Sequence, residues 1–541
     1  MAGTAPGHDG ERGDTPGYDE GGEDRAPCSA MVAPARPYLP RSAAGDRNPW
    51  LIAWVVSIAT FMEVLDITIA NVALRHIAGT LAADQDESTW ILTSYLVSNA
   101  IVLPISGWLA NVLGRKRFYM ICVGLFTASS LMCAMSTSLS MMVVARVLQG
   151  AGGGGMAPTE QSIFADTFPP EKRAQAFALY GLTVVSAPAV GPVLGGWLTD
   201  NLSWHWVFLI NLPIGLLSLV LVGWLVTEPE ALRRDRRALL DQGLNVDVFG
   251  FALVVLGFGA LQIVLDRFEL DDGFASHFIT TMSVISGLSL ATLVAWEIRH
   301  PQPVVNIRLL RFRSLGICCG LMFLVGFLLI STTQLLPQLS QSLMGYDATT
   351  AGMTLGFGGV ASFFLMPVVG VVTGRLVQPK WLILMATLGV SWSMLHATRL
   401  DLDVSFWTMS FTRMSQVMWM PFLFIPISAV SYVGLPPASN NEASALINLM
   451  RNLGGSFGVS FVTNLLEERS QLHHARLAEH ITAYNGFGWN TPLAPVDAMV
   501  QAQAFIMSYL DAFWLLGLLA LVVAPVALLL PQAPNGAPAG H

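Results

Sequence analysis

Fourteen stretches of this chain are long and apolar enough to be read as bilayer crossings, and that recurrence limits what it can fold into. A crossing helix needs about 20 mainly apolar residues. In hydrocarbon each backbone amide must be bonded within its own segment, so such runs form helices. The expected spans start near Trp50, Trp90, Phe118, Leu139, Ala174, Trp206, Val246, Phe278, Leu315, Ala348, Trp381, Phe406, Ala443 and Phe505. Only 12% of the residues are charged, about half the share usual in soluble proteins. The 541 residues therefore read as one large all-α membrane protein with 14 transmembrane spans.

Basic residues set the orientation. With the amino terminus inside, eighteen Lys and Arg fall in cytoplasmic segments and five in outside loops. Arg146, Arg413 and Arg451 fall within spans. Both termini are then cytoplasmic, and the longest outside loop is 467–503. Residues 1–49, rich in Gly, Pro and acids, lack the basic start and apolar core of a signal peptide and read as a disordered cytoplasmic tail. The five cysteines show neither metal-ligand spacing nor a disulfide framework.

Three motif pairs recur at one offset. Gly107 and Gly374 each open a Gly-rich, basic-ended turn, and Arg146 and Arg413 open "RVLQG" and "RMSQV". With Gly191 and Gly458, all three pairs are 267 residues apart. Spans two, four and five therefore map onto ten, twelve and thirteen. Two six-helix bundles, 50–227 and 301–531, follow, with two extra central helices in a 228–300 linker and a 532–541 tail. Parallel six-helix repeats are the plan of the major facilitator fold.

"LDITIANVAL" (65–74), "GWLANVLGRK" (107–116), "RVLQGAGGGG" (146–155), "GPVLGGWLTD" (191–200) and "WHWVFLINLPIG" (204–215) occur in this order. The set resembles the 14-span drug:proton antiporter branch of the major facilitator superfamily, and within it the EmrB/QacA group. The resemblance covers about residues 48–530 and is weak for the substrate.

Glu63 and Asp66 lie roughly 60° apart around one apolar helix. An ionised acid in lipid costs at least about 2.5 kcal/mol, so such acids face the bundle interior and are functional by default. Asp66 is about 24 Å into its span, in the outer half, with Glu63 nearer the middle. The resemblance implies that Asp66 binds the coupled proton; the alternative is a hydrogen bond to Thr68, Asn71 or a neighbouring helix. Glu63 is the second candidate. Arg146 and Gln149 match the family's fourth-span motif, whose Arg assists proton transfer. Thr333 stands where a second-half acid would be, so coupling is expected to be asymmetric and Arg413 and Gln416 structural. Arg451 is expected to snorkel to the cytoplasmic face.

Gating is expected at Gly107, Asn111, Gly114 and Arg115 after span two, and at Gly191, Pro192, Gly195 and Gly196 in span five. The family commonly has an acid at the Asn111 position, so an inner charge latch is in doubt, and Arg115–Arg117 read equally as orientation determinants. Pro192 removes one helical hydrogen bond, and its flanking glycines admit a close neighbour. "GAGGGG" (150–155) fits G-x-G-x-x-G but continues a membrane helix, where small residues serve packing. Met62, Asn71, Met414, Met418 and Trp419 are candidates for a substrate cavity. His473, His474 and His480 read as a solvated loop helix.

No metal site, nucleotide loop, catalytic triad or nucleic-acid face is expected, and no cofactor beyond the proton as coupling ion. The reading is a transporter in the bacterial inner membrane, not an enzyme, exchanging protons for amphipathic compounds by alternating access. The resemblance also implies a periplasmic adaptor (EmrA-like) and an outer-membrane channel (TolC-like). The rival readings are an exporter of one metabolite, such as a fatty acid or siderophore, and a membrane sensor or scaffold without transport.

Overall fold

The computed structural model describes residues 48–228, 230–241, 243, 246–373, 376–402, 404–481 and 493–531. Most of both expected tails, Gly374 of the repeat and residues 482–492 of the expected outside loop lie outside these.

A helix occupies each of the fourteen expected positions. In chain order they are α1 (Pro49–Thr80), α2 (Trp90–Leu113), α3 (Arg115–Ala134), α4 (Leu139–Thr167) and α5 (Pro170–Asn201). Next come α6 (His205–Leu225), α7 (Val248–Arg267), α8 (His277–Glu297), α9 (Arg313–Leu343) and α10 (Ala348–Val372). The last are α11 (Pro379–Ala397), α12 (Phe406–Ser431), α13 (Asn440–Glu479) and α14 (Leu493–Val523). Odd-numbered helices begin, and even-numbered ones end, at one end of the bundle, the near face.

Among the described residues, ten helices are long and apolar enough to cross a membrane, and the bent α5 makes eleven. The others, α4, α11 and α13, are more polar. Helix α4 carries Arg146, Gln149, Glu160 and Gln161, and α13 carries Asn440, Asn441, Asn448 and Arg451. Helix α11 holds Lys380 and His396 near its ends. Apolarity alone thus supports ten or eleven crossings, fewer than the fourteen expected. The reason is physical: α4 and α13 can be polar because their neighbours cover them, whereas α11 is short and carries Lys380 and His396 at its ends.

Local chemistry fixes several helix ends. Side chains of Asn48, Ser138, Asp247, Asp347 and Ser405 cap α1, α4, α7, α10 and α12, each such cap being worth about 1 kcal/mol. One residue, Gly114 at φ +89°, separates α2 from α3, in a conformation open to glycine and strained in other residues. Helix α5 bends by 42° between Pro188 and Val190. The imide of Pro192 offers no N–H to the carbonyl four residues back, at Pro188, so the bend falls one turn before the proline that causes it.

Packing repeats with a shift of eight. Helix α1 packs on α5, and α9 on α13. Helices α2 and α3 pack on α4, and α10 and α11 on α12. Gly191 of α5 sits against Thr68 of α1, and Gly458 of α13 against Phe327 of α9. Between the two sets, α5 packs on α10 and α2 on α13, pairs that exchange under the same shift. Helices α7 and α8 pair with each other, and α7 lies against both α2 and α13. One buried apolar cluster runs through both sets, from Phe164 and Phe177 to Phe424 and Phe513.

The expected outside loop is largely helical. Residues to Glu479 extend α13, and α14 begins at Leu493. His473 pairs with Asp511 at 2.9 Å and His474 with Asp497 at 3.0 Å, so these histidines tie the two helices together. His473 is buried, contrary to the solvated reading.

Candidate functional site

Asp66 and Arg146 meet inside the first helix set. Arg146 is fully buried and Asp66 is 1% exposed. Arg146 Nη1 donates to Asp66 Oδ2 at 2.7 Å and to Gln149 Oε1 at 2.7 Å. Its Nε donates to the Ile91 carbonyl at 3.0 Å, and the guanidinium lies 4.5 Å over the Tyr95 ring. The other oxygen, Asp66 Oδ1, accepts from Gln149 Nε2 at 3.0 Å and from Asn211 Nδ2 at 2.6 Å. Ser130 accepts from the same two amides, at 2.9 and 3.3 Å.

Five helices build this cluster: α1 gives Asp66, α2 the Ile91 carbonyl and Tyr95 ring, α3 Ser130, α4 Arg146 and Gln149, and α6 Asn211. On α4 the three-residue spacing of Arg146 and Gln149 puts both on one face. Removing one partner of a buried pair strands the other charge, at about 3–5 kcal/mol. The structure brings Asp66, Arg146 and Gln149 together. Thr68 instead donates to the Leu65 carbonyl, and Asn71 is exposed. Asn211 and Ser130 escaped the sequence reading. The signal for Asn211 was present, as a lone amide within the apolar "VFLINLPIG".

Glu63 lies apart from the cluster. It is buried and accepts one hydrogen bond, from Asn99 Nδ2 at 3.3 Å. In the second set Arg413 donates to Thr332 and Thr333 at 3.0 and 2.6 Å. Arg451 does not snorkel. It donates to the Tyr180 hydroxyl of α5 at 2.6 Å, and Tyr180 donates to Asn448 at 3.1 Å. The acceptor is near enough, and the guanidinium stays within the bundle.

A second cluster closes the near face. Asn111 donates to Glu442 Oε1 at 3.1 Å, and Asn306 to Oε2 at 2.7 Å. An acid absent at position 111 is thus met from the other half, through hydrogen bonds from neutral amides rather than an ion pair. Gly107 admits this contact, since a Cβ there would lie 2.8 Å from Glu442 Cα. Arg115 is more than an orientation determinant: it pairs with Asp166 and donates to the Pro437 carbonyl at 3.4 Å. Asn440 donates to Asp166 at 2.9 Å. Side-chain bonds between the halves continue inward through Ser162–Ser444 (2.9 Å) and Asn448–Gln161 (3.0 Å).

The glycines divide by what they face. Gly195 packs on Ile69 of α1, whereas Gly196 has no neighbour within 4 Å of a would-be Cβ and admits no close helix. Pro192 borders Gly352 of α10. Gly150 and Gly154 face α2, and Gly152 and Gly155 face α3, so "GAGGGG" is a packing seam between two helices. The cavity candidates scatter. Met62 is core, packed with Val55, Tyr119 and Met156, because its face of α1 meets α3 and α4. The Trp419 indole lies against Gly389 of α11. Met414 and Met418 are half-buried.

Residues 56–459 match the Major Facilitator Superfamily. The chain is 35% identical to the multidrug export protein EmrB of Haemophilus influenzae over 87% of this chain and 94% of that one. It is 32% identical to the fatty acid resistance protein FarB of Neisseria gonorrhoeae, over 91% and 98%. Among solved structures, a double Trp mutant of XylE superposes with TM-score 0.60 at 15% identity, covering 90% of this chain and 97% of that one. Together with the helical repeat, these place the chain in the major facilitator superfamily, in its EmrB/QacA-type group, as a multi-pass membrane transporter rather than an enzyme.

Proposed function

We propose that this protein exports amphipathic, largely apolar compounds of varied structure in exchange for protons. The observation that carries the reading is the buried Asp66 carboxylate, held by Arg146, Gln149 and Asn211 within the first helix set. A proton arriving on Asp66 cancels the charge that Arg146 and the two amides hold. The cluster then loosens, and the halves can rearrange around a central path. Relatives named for multidrug export support the substrate class. The decisive experiment compares susceptibility to a panel of structurally unrelated drugs, with a long-chain fatty acid included, in cells with and without the gene. Protection against several drugs, abolished by a protonophore, is the expected result. Protection against the fatty acid alone would favour a dedicated exporter.

The fourteen helices are read as fourteen spans in a bacterial inner membrane, with the near face and both termini cytoplasmic. The bundles are 50–227 and 301–531. Reporter fusions at residue 240 should read cytoplasmic and those at 485 periplasmic; one side for both would overturn the count. An adaptor (EmrA-like) and an outer-membrane channel (TolC-like) would extend the path beyond the inner membrane. Deleting 482–492 spares the His473–Asp511 and His474–Asp497 pairs. If an adaptor docks on this segment, cells lose resistance while vesicles keep proton exchange.

A further inference from the structure

Glu160 of α4 is fully buried and lies outside the Asp66 cluster. Its Oε1 accepts from Ser57 Oγ at 2.5 Å, and its Oε2 has no hydrogen-bond partner. On the same strip Glu63 Oε2 has none either, while the Thr60 hydroxyl lies within reach of the Glu160 carboxyl and the Tyr95 hydroxyl within reach of the Glu63 carboxyl. Each unpartnered group costs about 1–3 kcal/mol, so two such carboxyl oxygens in one place call for a reason.

The strip is ordered along the bundle. Ser57, Thr60, Glu63 and Asp66 follow at three-residue steps on α1, each a rise of about 4.5 Å and a turn of about 60°, so the series winds around the helix from the Glu160 side to the Arg146 side. Across from them, a Cβ at Gly153 of α4 would lie 3.3 Å from Glu63 Oε1. Glu160 is two turns further along α4, about 10.5 Å closer to the near face. Helices α1 and α4 run in opposite directions, and each Cα–Cβ bond tilts toward its own amino terminus. Glu63 therefore leans toward the near face and Glu160 away from it, so the two acids lean together with Thr60 between their levels. Other ionisable groups within electrostatic reach of Glu160 are Glu63, Arg451 of α13, Tyr119 of α3 and Tyr180 of α5.

We infer that Glu160 is a third proton-carrying carboxyl, which takes the coupled proton from Glu63 and releases it toward the near face. The inference rests on the proton-exchange reading. A proton leaving Asp66 reaches the Glu63 carboxylate by way of the Tyr95 hydroxyl, which lies within reach of both acids. Glu63 passes it to the Thr60 hydroxyl, which hands its own proton to Glu160. Glu160 passes it on through Ser57. Each step breaks one O–H bond and forms another, so one positive charge moves and nothing is oxidised or reduced.

Two measurements on the purified full chain test this. The first needs no substrate. An acid-to-alkaline jump followed by infrared difference spectroscopy should show a protonated-carboxyl band that Glu160→Gln lacks and that differs from the one lost in Asp66→Asn. The second uses ethidium flux in liposomes. Glu160→Gln should cut pH-gradient-driven flux on the order of a hundredfold, far more than it cuts ethidium-for-ethidium exchange. Glu160→Asp should restore part of it. The near-isosteric Thr60→Val, which serves if Glu160→Gln folds poorly, should show the same split. Equal loss of driven and exchange flux would mean a structural role and overturn the inference, as would wild-type driven flux in Glu160→Gln. Were the wild-type protein indifferent to the pH gradient, the exchange reading would fall, and the missing or unchanged infrared band would still decide whether Glu160 titrates.

Discussion

Arg413 donates to the Thr333 hydroxyl at 2.6 Å, in the place where the first half sets Arg146 against Asp66. A hydroxyl holds the guanidinium without a charge to exchange. Arg413→Gln should therefore leave proton-driven efflux within a few-fold of wild type, while Arg146→Gln abolishes it. Arg146→Lys should fail as well. Arg146 bonds through two nitrogens in one plane to Ile91, Asp66 and Gln149, and an ammonium lacks that fork. Efflux assays at matched expression decide it; equal sensitivity of the two arginines would remove the asymmetry.

Asp66→Asn should insert and fold yet lose proton-driven efflux, because the remaining amide cannot carry the proton. Normal efflux by a well-expressed mutant would falsify the coupling role. Glu63→Gln should also impair driven efflux, with substrate exchange less affected.

Asn211→Leu removes the 2.6 Å donor to Asp66 and offers the carboxylate no replacement. The cost should be about 1–3 kcal/mol, read as a lower melting temperature of the purified protein together with slower efflux. A mutant as stable and active as wild type would leave Asn211 without a part in the site.

Asn111→Asp places a second carboxylate against Glu442 on the near face. Like charges repel, so the latch should weaken. A cysteine placed at Ser162 in a cysteine-free background should then react faster with a water-soluble maleimide. Glu442→Gln in the same background should restore slow labelling, which distinguishes repulsion from general loosening.

Gly114→Ala forces a side chain into φ +89° at the α2–α3 junction, where Glu228 Oε1 already lies 2.7 Å from the would-be Cβ. A side chain held in so sparsely populated a backbone conformation costs about 1–3 kcal/mol. Thermal unfolding in detergent should show the loss, and an unchanged midpoint would mean the turn can rearrange.

Much of this architecture could be read from local pattern. Asp66, Arg146 and Gln149 announced themselves as charged or amide groups in apolar runs, and the 267-residue offset between Arg146 and Arg413 placed the repeat. What escaped depends on contacts between distant segments. Nothing near Asn111 in the chain says that Glu442 will face it. Arg451 was misjudged because its acceptor, Tyr180, belongs to the other half. Met62 was assigned to a cavity because chemistry can be read from one residue, whereas the direction a helix face points is settled by its neighbours. Glu160 lies just beyond the glycine-rich motif and draws no notice there, although Ser57, Thr60, Glu63 and Asp66 keep a three-residue rhythm on the facing helix.

The position of α7 bears on how a compound dissolved in the lipid could enter. Two lateral seams join the halves, α2 with α13 and α5 with α10. Gln262 of α7 accepts from Ser456 of α13 at 3.1 Å, Asp266 accepts from Thr93 of α2, and Gly259 rests on Ile101. The first seam is therefore shuttered by the inserted pair. At the second, Val193 beside α10 remains 41% exposed. The two flanks of the bundle therefore differ: one seam is backed by the inserted α7, and at the other α5 and α10 close on each other directly.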